Sequence, residues 1–586
     1  MMANLKKKRK YYCELEYLES TGTQWIDTGT NASLTNTGTL SVDTGFVLLQ
    51  PTASPYYTGI FGSYNTSGQR YGAYARENSL CFGFANGAYE YIQTLQYGTY
   101  YRLKFSTSMG SQSAELDGTV IWTATQSVTI TNDTDIGLFC RNNYSAGNLW
   151  WLGNLRIYFC KIYDNGVLIR DMIPVLDWNM TPCMYDRVSG QLFYNQGTGS
   201  FTYGREIHYV DYLESTGTQY IDTGVTLTNN HSVEIDYQLT SASQNRKGIF
   251  GGLVVNGSRF GALLSPSNNY LEFGYGTTNV IYQTGLPDTQ RHVMKQQKNL
   301  LYFDGTLIYT FNSATFTQNF TAPLGNFAYT NYTPASAKYY SSRWWDGDTL
   351  VRDYKPAIDE NGVGFMFDRV SHTIYDNAGT GVFNYPARET EYTANAATYA
   401  YIDLGVKYKP SMTIEGKYTR DNYGTNGSVM LLTTTTTAPL IYLPALSGYT
   451  AERYVWRRPP YTEQSYFIST ITYPFTCEMK VDAVNDTLTL NGDIVKTGMI
   501  AGMNGYDDPY ESASNMYMFS IANSYAGNGK IYYLKIIDGT TPLFDLISAY
   551  KDGEAGFYNK IDGTFFKNAS SSGLLTAGKI IEPEYE

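Results

Sequence analysis

Retaining cleavage of a glycosidic bond needs two carboxylates about 5 to 5.5 Å apart, and the nearest arrangement in this chain is Glu234-Ile235-Asp236. Alternate residues of an extended strand share a face, so the two acids would stand side by side. No further acid follows, because Tyr237-Gln238-Leu239 comes next. Two equivalent stretches fare worse: Glu415 is followed by Lys417 where the second acid would be, and Val42-Asp43 has no glutamate. The four histidines, His208, His231, His292 and His372, offer little general base. None lies in a Gly-x-Ser-x-Gly or His-Glu-x-x-His setting. Gly197-Thr198-Gly199 and Gly379-Thr380-Gly381 each join two extended stretches, which is turn chemistry and not a phosphate-binding loop before a helix. The expectation is a protein that is not an enzyme.

Metal and thiol chemistry are equally sparse. Asn132-Asp133-Thr134-Asp135 supplies hard oxygen ligands suited to Ca²⁺. The equivalent stretch of a second repeat, Gln318-Asn319-Phe320-Thr321, has no acid, and Asp507-Asp508 lies in a different loop context. Calcium is therefore possible, but no metal or other cofactor is assigned. Cys13, Cys81, Cys140, Cys160 and Cys183 crowd the first third and Cys477 stands alone in the last, with no C-x-x-C spacing. A disulfide framework would recur with the repeats. Mostly buried, reduced thiols fit a protein made in a cytoplasm.

What remains is recognition. Tyr and Trp carry flat apolar faces with a polar edge, suited to stacking on sugar rings and to protein contacts. The candidate ligand-binding residues are Tyr56, Tyr57, Trp150, Trp151, Trp344, Trp345, Tyr454, Trp456 and Tyr461. Neighbouring aromatics on a strand point to opposite faces, so one of each Trp pair is expected in the core.

The elements that must position these residues are read from internal repetition. Tyr17 to Gln24, followed by Trp25-Ile26-Asp27-Thr28-Gly29, returns as Tyr212 to Gln219 with Tyr220-Ile221-Asp222-Thr223-Gly224; Tyr401-Ile402-Asp403-Leu404-Gly405 is a third, weaker copy. Met184-Tyr185-Asp186-Arg187-Val188-Ser189 pairs with Met366-Phe367-Asp368-Arg369-Val370-Ser371 and with Phe557-Tyr558-Asn559-Lys560-Ile561-Asp562. Leu116-Asp117-Gly118, Phe303-Asp304-Gly305 and Leu490-Asn491-Gly492 stand between alternating stretches. Asp-Gly and Asn-Gly accept positive φ at both centres of a two-residue hairpin. Arg170-Asp171 and Arg352-Asp353 correspond to Phe544-Asp545.

These anchors divide the chain into a basic tail at 1–13 and sandwiches at 14–206, 207–389 and 390–586, joined by connections of a few residues. Such short joints predict a stiff row. A chain of 586 residues is too long for one core. Aromatic residues make up 16% of it, and 55 Gly punctuate Thr- and Asn-rich stretches, a mix that favours short strands and tight turns over helices. Stretches such as His231 to Tyr237 alternate polar and apolar residues, one face buried and one wetted. The predicted fold is all-β: three tandem antiparallel jelly-roll sandwiches.

Charge narrows the partners. The net charge is −11, and setting aside the five positive charges of Lys6, Lys7, Lys8, Arg9 and Lys10 leaves −16 for the rest. An acidic body repels phosphate, so no general nucleic-acid binding is expected. The basic run is the candidate attachment segment. No apolar h-region follows it, and no stretch of about 18 apolar residues could insert into a membrane.

Three stretches carry a family resemblance: Leu15 to Gln24, the strand-turn Lys161-Ile162-Tyr163-Asp164-Asn165-Gly166, and the closing Tyr185 to Asn195. They resemble laminin-G-like modules of the concanavalin A-like lectin/glucanase superfamily, and most closely those in fibre and structural proteins of bacteriophages of gut bacteria and in related bacterial surface proteins. The resemblance implies a sandwich fold and a recognition role; the glucanases of the superfamily carry Glu-x-Asp-x-x-Glu or Glu-x-Asp-x-Glu, which this chain lacks. It implies a virion protein made in the host cytoplasm, bound to other virion proteins through its N-terminus. Such a protein would engage a host-surface glycan or build a spike, with a homo-oligomer possible. A bacterial surface or secreted carbohydrate-binding adhesin is the alternative, and a glycoside hydrolase the third.

Overall fold

The computed structural model describes residues 12–581 apart from 36, 51–56, 66, 132–133, 144–150, 254–256, 266–269, 283–286, 330–331, 396–398, 410, 422–427, 433–439, 448–450, 458–463, 469–470, 498–511, 513, 520–527 and 572. The attachment candidates Lys6, Lys7, Lys8, Arg9 and Lys10 lie outside the described residues. Among those described, every regular element is a strand, and no helix is long and apolar enough to cross a membrane. Residues Lys10–Tyr385 form one compact unit and Pro386–Glu586 another.

One strand order recurs three times. In the first repeat Val167–Leu176, Asn154–Asp164, Thr39–Leu48, Tyr100–Ser108, Ser111–Leu116 and Thr119–Ala124 lie side by side, all antiparallel. The second follows suit with Thr349–Ile358, Ser336–Asp346, His231–Leu239, Arg291–Gln297, Leu300–Phe303 and Thr306–Thr310. The third uses Thr541–Lys551, Gly529–Asp538, Met412–Arg420, Phe475–Asp482, Thr487–Leu490 and Asp493–Thr497. A second sheet faces each of these, ordered in the first repeat Ile26–Asn31, Asp135–Leu138, Tyr57–Tyr64, Arg70–Arg76, Ser79–Ala85, Gly87–Thr94. Each repeat closes its own apolar cluster, one running from Leu15 to Phe201, one from Val210 to Phe383 and one from Ala400 to Leu575. These are antiparallel sandwiches, as the two-residue alternation predicts.

The predicted hairpins are formed with the predicted geometry. Asp117 and Gly118 have φ of 49° and 79°, Asp304 and Gly305 48° and 77°, and Asn491 and Gly492 50° and 92°. In each, the side-chain oxygen at the first position accepts a backbone N–H of the preceding neighbour strand, from Arg102, Val293 and Glu478 respectively. Such turns bring the flanking strands into register with the native twist.

Buried turns are satisfied by side chains. Asp186, fully buried, accepts the backbone N–H groups of Asp171 (2.8 Å) and Val188 (3.1 Å) and the Ser189 hydroxyl (2.6 Å). Arg170 lies 3.7 Å from it and donates to the Thr28 carbonyl. Asp368 and Arg352 repeat the arrangement in the second copy. In the third, Asn559 accepts from Asp545 and Ile561, and buried Phe544 stands in the arginine's place. Charge and countercharge are replaced together, because either alone would be stranded in an apolar site.

The first two repeats are joined by a strand. Glu206–Tyr209 pairs with Cys13–Leu15 of the first repeat and with Thr349–Ile358 of the second, so a 21-stranded sheet runs through both. Here the two-residue alternation fails. The far half of Thr39–Leu48 is buried on both faces, because Tyr100, Tyr158 and Phe159 cover its outer side and a Cβ at Gly45 would meet Tyr100 and Phe159 at 2.6 and 2.8 Å. The second repeat caps this patch: Tyr100 donates to the Ser371 carbonyl (2.7 Å), and the His372 ring lies 5.4 Å from that of Phe159 and 5.6 Å from that of Phe367. Arg205 adds a bidentate pair to Asp376.

His372 occupies a left-handed position, φ 55°, where the other copies have Gly190 and Gly563 at 73° and 76°. It is 0% exposed, and neither ring nitrogen has a hydrogen-bond partner among the described residues. Glu14 Oε1 stands 3.8 Å from Nδ1 but is engaged by Arg187 at 3.2 Å, and Tyr209 donates to its other oxygen. Burial first, then the positive charges of Arg187, Lys161, Arg369 and Arg102, hold the imidazole pKa well below 6.5.

Two outcomes follow from these contacts. An R170F/D186N double variant, which copies the third repeat, is expected to lose less stability in denaturant unfolding than the sum of the single variants, with a coupling of about 1 to 2 kcal/mol. Simple additivity would show that the pair does not act as one. Above pH 6.5 His372 is neutral folded and unfolded; below it only the unfolded chain takes up the proton, so stability falls as pH falls. The contribution is about 1.4 kcal/mol per pH unit. Chemical denaturation across pH 5 to 7 should show a shallower slope in His372→Leu than in the parent.

Candidate functional site

Aromatic and cationic side chains gather at one end of the second sheet of the first repeat. Tyr57 opens the strand Tyr57–Tyr64, Tyr74 lies opposite Gly59 on the neighbouring strand Arg70–Arg76, and Trp151 enters from the segment before Asn154–Asp164. Gly59 allows the approach: its N–H donates to the Trp151 carbonyl (2.7 Å), and a Cβ there would strike the backbone of Cys140 at 2.5 Å. Trp151 adopts φ 58° and stacks on Tyr57, ring centroids 4.7 Å apart at 15°, with the Tyr74 ring at 4.4 Å. Arg141 lies 3.6 Å from the Trp151 centroid and 4.7 Å from that of Tyr64. Arg76 extends the cluster outward, 5.4 Å from Tyr57 and 5.1 Å from Tyr91, which is 60% exposed.

Burial, then neighbouring Arg70, pushes the Arg141 guanidinium down to about 10, so it stays charged at neutral pH. A cation held over indole and phenol faces is stabilised by their quadrupoles. Tyr57 and Trp151 are half-buried and keep aromatic surface for the apolar face of a sugar, while Tyr74 and Arg141 are buried.

The structure therefore brings together two of the nine aromatic candidates, Tyr57 and Trp151. Tyr56, Trp150 and Tyr461 lie outside the described residues, as does the side chain of Trp456. Two candidates are corrected. Trp344 is fully buried in the second core, its indole N–H donating to Ser342 Oγ (2.7 Å), and Tyr454 is fully buried in the third, its hydroxyl 2.6 Å from that of Tyr418. Both side chains point inward on their strands, so neither can meet a ligand. Trp345 takes the opposite face from Trp344, as alternation requires, with Lys295 5.0 Å from its ring. Sequence reasoning missed Trp178, 70% exposed on the turn between Val167–Leu176 and Pro182–Asp186. The signal was that the second repeat has Glu360 at this place, between the equally placed Asp359 and Asn361.

The carboxylates nearest to a glycosidase pattern are occupied by cations. Glu234 faces Lys295 and Arg343 at 3.4 and 3.7 Å, and Asp236 takes a bidentate pair from Arg291 at 2.8 and 2.6 Å. Asp43 is held the same way by Arg102, and Glu415 lies in register with Lys480 and Lys535. Of the calcium candidate, Asn132 and Asp133 lie outside the described residues, as do Asp507 and Asp508. Asp135 has its carboxyl raised by burial and by adjacent Asp27. A cleft of about 420 Å³ lies in the third repeat beside Tyr550, Glu554, Asn568 and Leu574. Its walls bring no histidine or cysteine to it.

No protein-family model matches this chain, and no curated protein matches it. Among solved structures, domains LG4-5 of the mouse laminin alpha1 chain match at 12% identity and a TM-score of 0.22, over 60% of this chain and 94% of that one. The LG1-3 region of the laminin alpha2 chain matches at 11% and 0.24, over 95% and 99%. NanB with Optactamide matches at 9% and 0.19, over 94% and 98%.

Proposed function

We propose that this chain acts by binding, with the Tyr57–Trp151–Arg141 platform of the first repeat recognising a host-surface glycan, and that it serves as a non-catalytic fibre or decoration protein of a bacteriophage virion. One observation carries the binding reading. The platform occurs in the first repeat at places where the second, built on the same strand order, has Arg246 for Tyr57 and Phe327 for Arg141. The sandwich closes without it, so its retention in one copy points to a ligand and not to the fold. The neutralised carboxylates of Glu234, Asp236 and Asp43 support a role without glycoside cleavage. The virion assignment rests on the likeness of the repeats to phage modules in Leu15 to Gln24 and Tyr185 to Asn195.

A glycan array probed with the full chain tests the binding. A retained glycan should bind Trp151→Ala at least tenfold more weakly, a loss of about 1.4 kcal/mol, while the thermal unfolding midpoint stays close to that of the parent. Equal binding by the variant, or no glycan retained by the parent, would remove the platform from the account. Mass spectrometry of purified particles tests the second part: absence of the chain from particles, with recovery from the bacterial surface, would assign it as an adhesin instead.

A further inference from the structure

The strand Cys13–Leu15 lies antiparallel beside Glu206–Tyr209, with Glu14 opposite Ile207 and Leu15 opposite Glu206. The same register sets Cys13 opposite His208. Glu206 and His208 are two apart on one strand and share a face, and residues directly opposed across an antiparallel pair share it too. A thiol, an imidazole and a carboxylate are thereby brought together from positions up to 195 residues apart. One donor atom from each lies within 4.8 Å of the others. Cys13 Sγ is 3.7 Å from His208 Nδ1, 4.0 Å from Nε2 and 3.8 Å from Glu206 Oε2, and Nε2 is 2.8 Å from Oε2.

We propose that Cys13, Glu206 and His208 form a binding site for a divalent transition metal of the zinc class, which pins the start of the first sandwich to the joint with the second. Zinc bound to sulfur at about 2.3 Å and to nitrogen and oxygen at about 2.0 to 2.2 Å sets tetrahedral donors roughly 3.3 to 3.6 Å apart. The sulfur distances must close by a few tenths of an ångström, and the imidazole–carboxylate contact must open by about half an ångström. Both are side-chain adjustments. The fourth position is left to water. A thiolate with an imidazole selects zinc, cobalt and their neighbours over calcium and magnesium, whose sites are built from oxygen. On binding, the Cys13 S–H bond breaks, its proton passes to solvent, and the thiolate pair forms the metal–sulfur bond.

One further observation favours a metal: Cys13 is the one cysteine of six that is not buried. The placement has a mechanical consequence. Cys13 pairs with Leu176, and His208 with Ile358, at the ends of equivalent strands in the two repeats. A metal across them closes a long loop, which removes freedom from the unfolded chain and fixes the bridging strand.

The full chain, stripped with a chelator, should take up one equivalent of Co²⁺ with a thiolate-to-cobalt charge-transfer absorption, and Zn²⁺ should displace it. Cys13→Ser should abolish that absorption, and His208→Ala should weaken uptake at least tenfold. Saturating Zn²⁺ should also slow alkylation of Cys13 in the unaltered chain by tenfold or more, a readout that needs no variant to fold. Absence of the charge-transfer absorption, its persistence in Cys13→Ser, or an alkylation rate indifferent to Zn²⁺ would each overturn the site.

Discussion

Two sheets packed face to face leave many strand ends and turns away from water, and every main-chain N–H and C=O there must find a partner. In this chain that demand is met by a few side chains that return at the same places. Gln24 accepts the Thr21 N–H, while Asn195 receives those of Trp25 and Gly197; Gln219 and Asn377 do the same for Thr216, Tyr220 and Gly379, and Asn568 does it for Tyr401 and Ser570. Asp186, Asp368 and Asn559 secure the closing turns. The near-identical stretches of sequence are those that hold loops against the sandwich edge, where a polar group without a partner costs most. Core positions tolerate exchange of one apolar residue for another, and so drift faster.

The exception to the repeat pattern is as informative as the pattern. Glycine holds the left-handed place after the closing turn in the first and third copies, and His372 holds it in the second at a cost in backbone strain. What offsets that cost is outside its own sandwich: the ring fills the space over Phe159 and between the two repeats. With Tyr100 bonded to Ser371 and Arg205 to Asp376, it converts two sandwiches into the single compact unit Lys10–Tyr385.

The outer faces of the larger sheets carry acids in the first two repeats, but cross-strand cations hold them in ion pairs. The aromatic surplus is divided in the same way. Trp344 and Tyr454 are spent on packing, whereas Trp151 and Tyr57 are assembled with Arg141 where the second repeat has other residues.

Period-two alternation, the Asp-Gly and Asn-Gly turns and the recurrence of aromatic-Ile-Asp stretches and of the closing stretches at Tyr185, Phe367 and Tyr558 determined the all-β class, the hairpins and the threefold repeat, because these depend on contacts local in the chain or repeated along it. Alternation also placed one tryptophan of Trp344 and Trp345 inside, without saying which, since a bulge between these two residues shifts the register. What only the tertiary structure decided were the meetings of distant residues: Trp151 on Tyr57, His372 on Phe159, and Cys13 with Glu206 and His208. None of these leaves a spacing to read, because each depends on how one sheet packs on another or on which strand lies beside the joint. Long-range packing chose which of many similar aromatic and polar residues face each other.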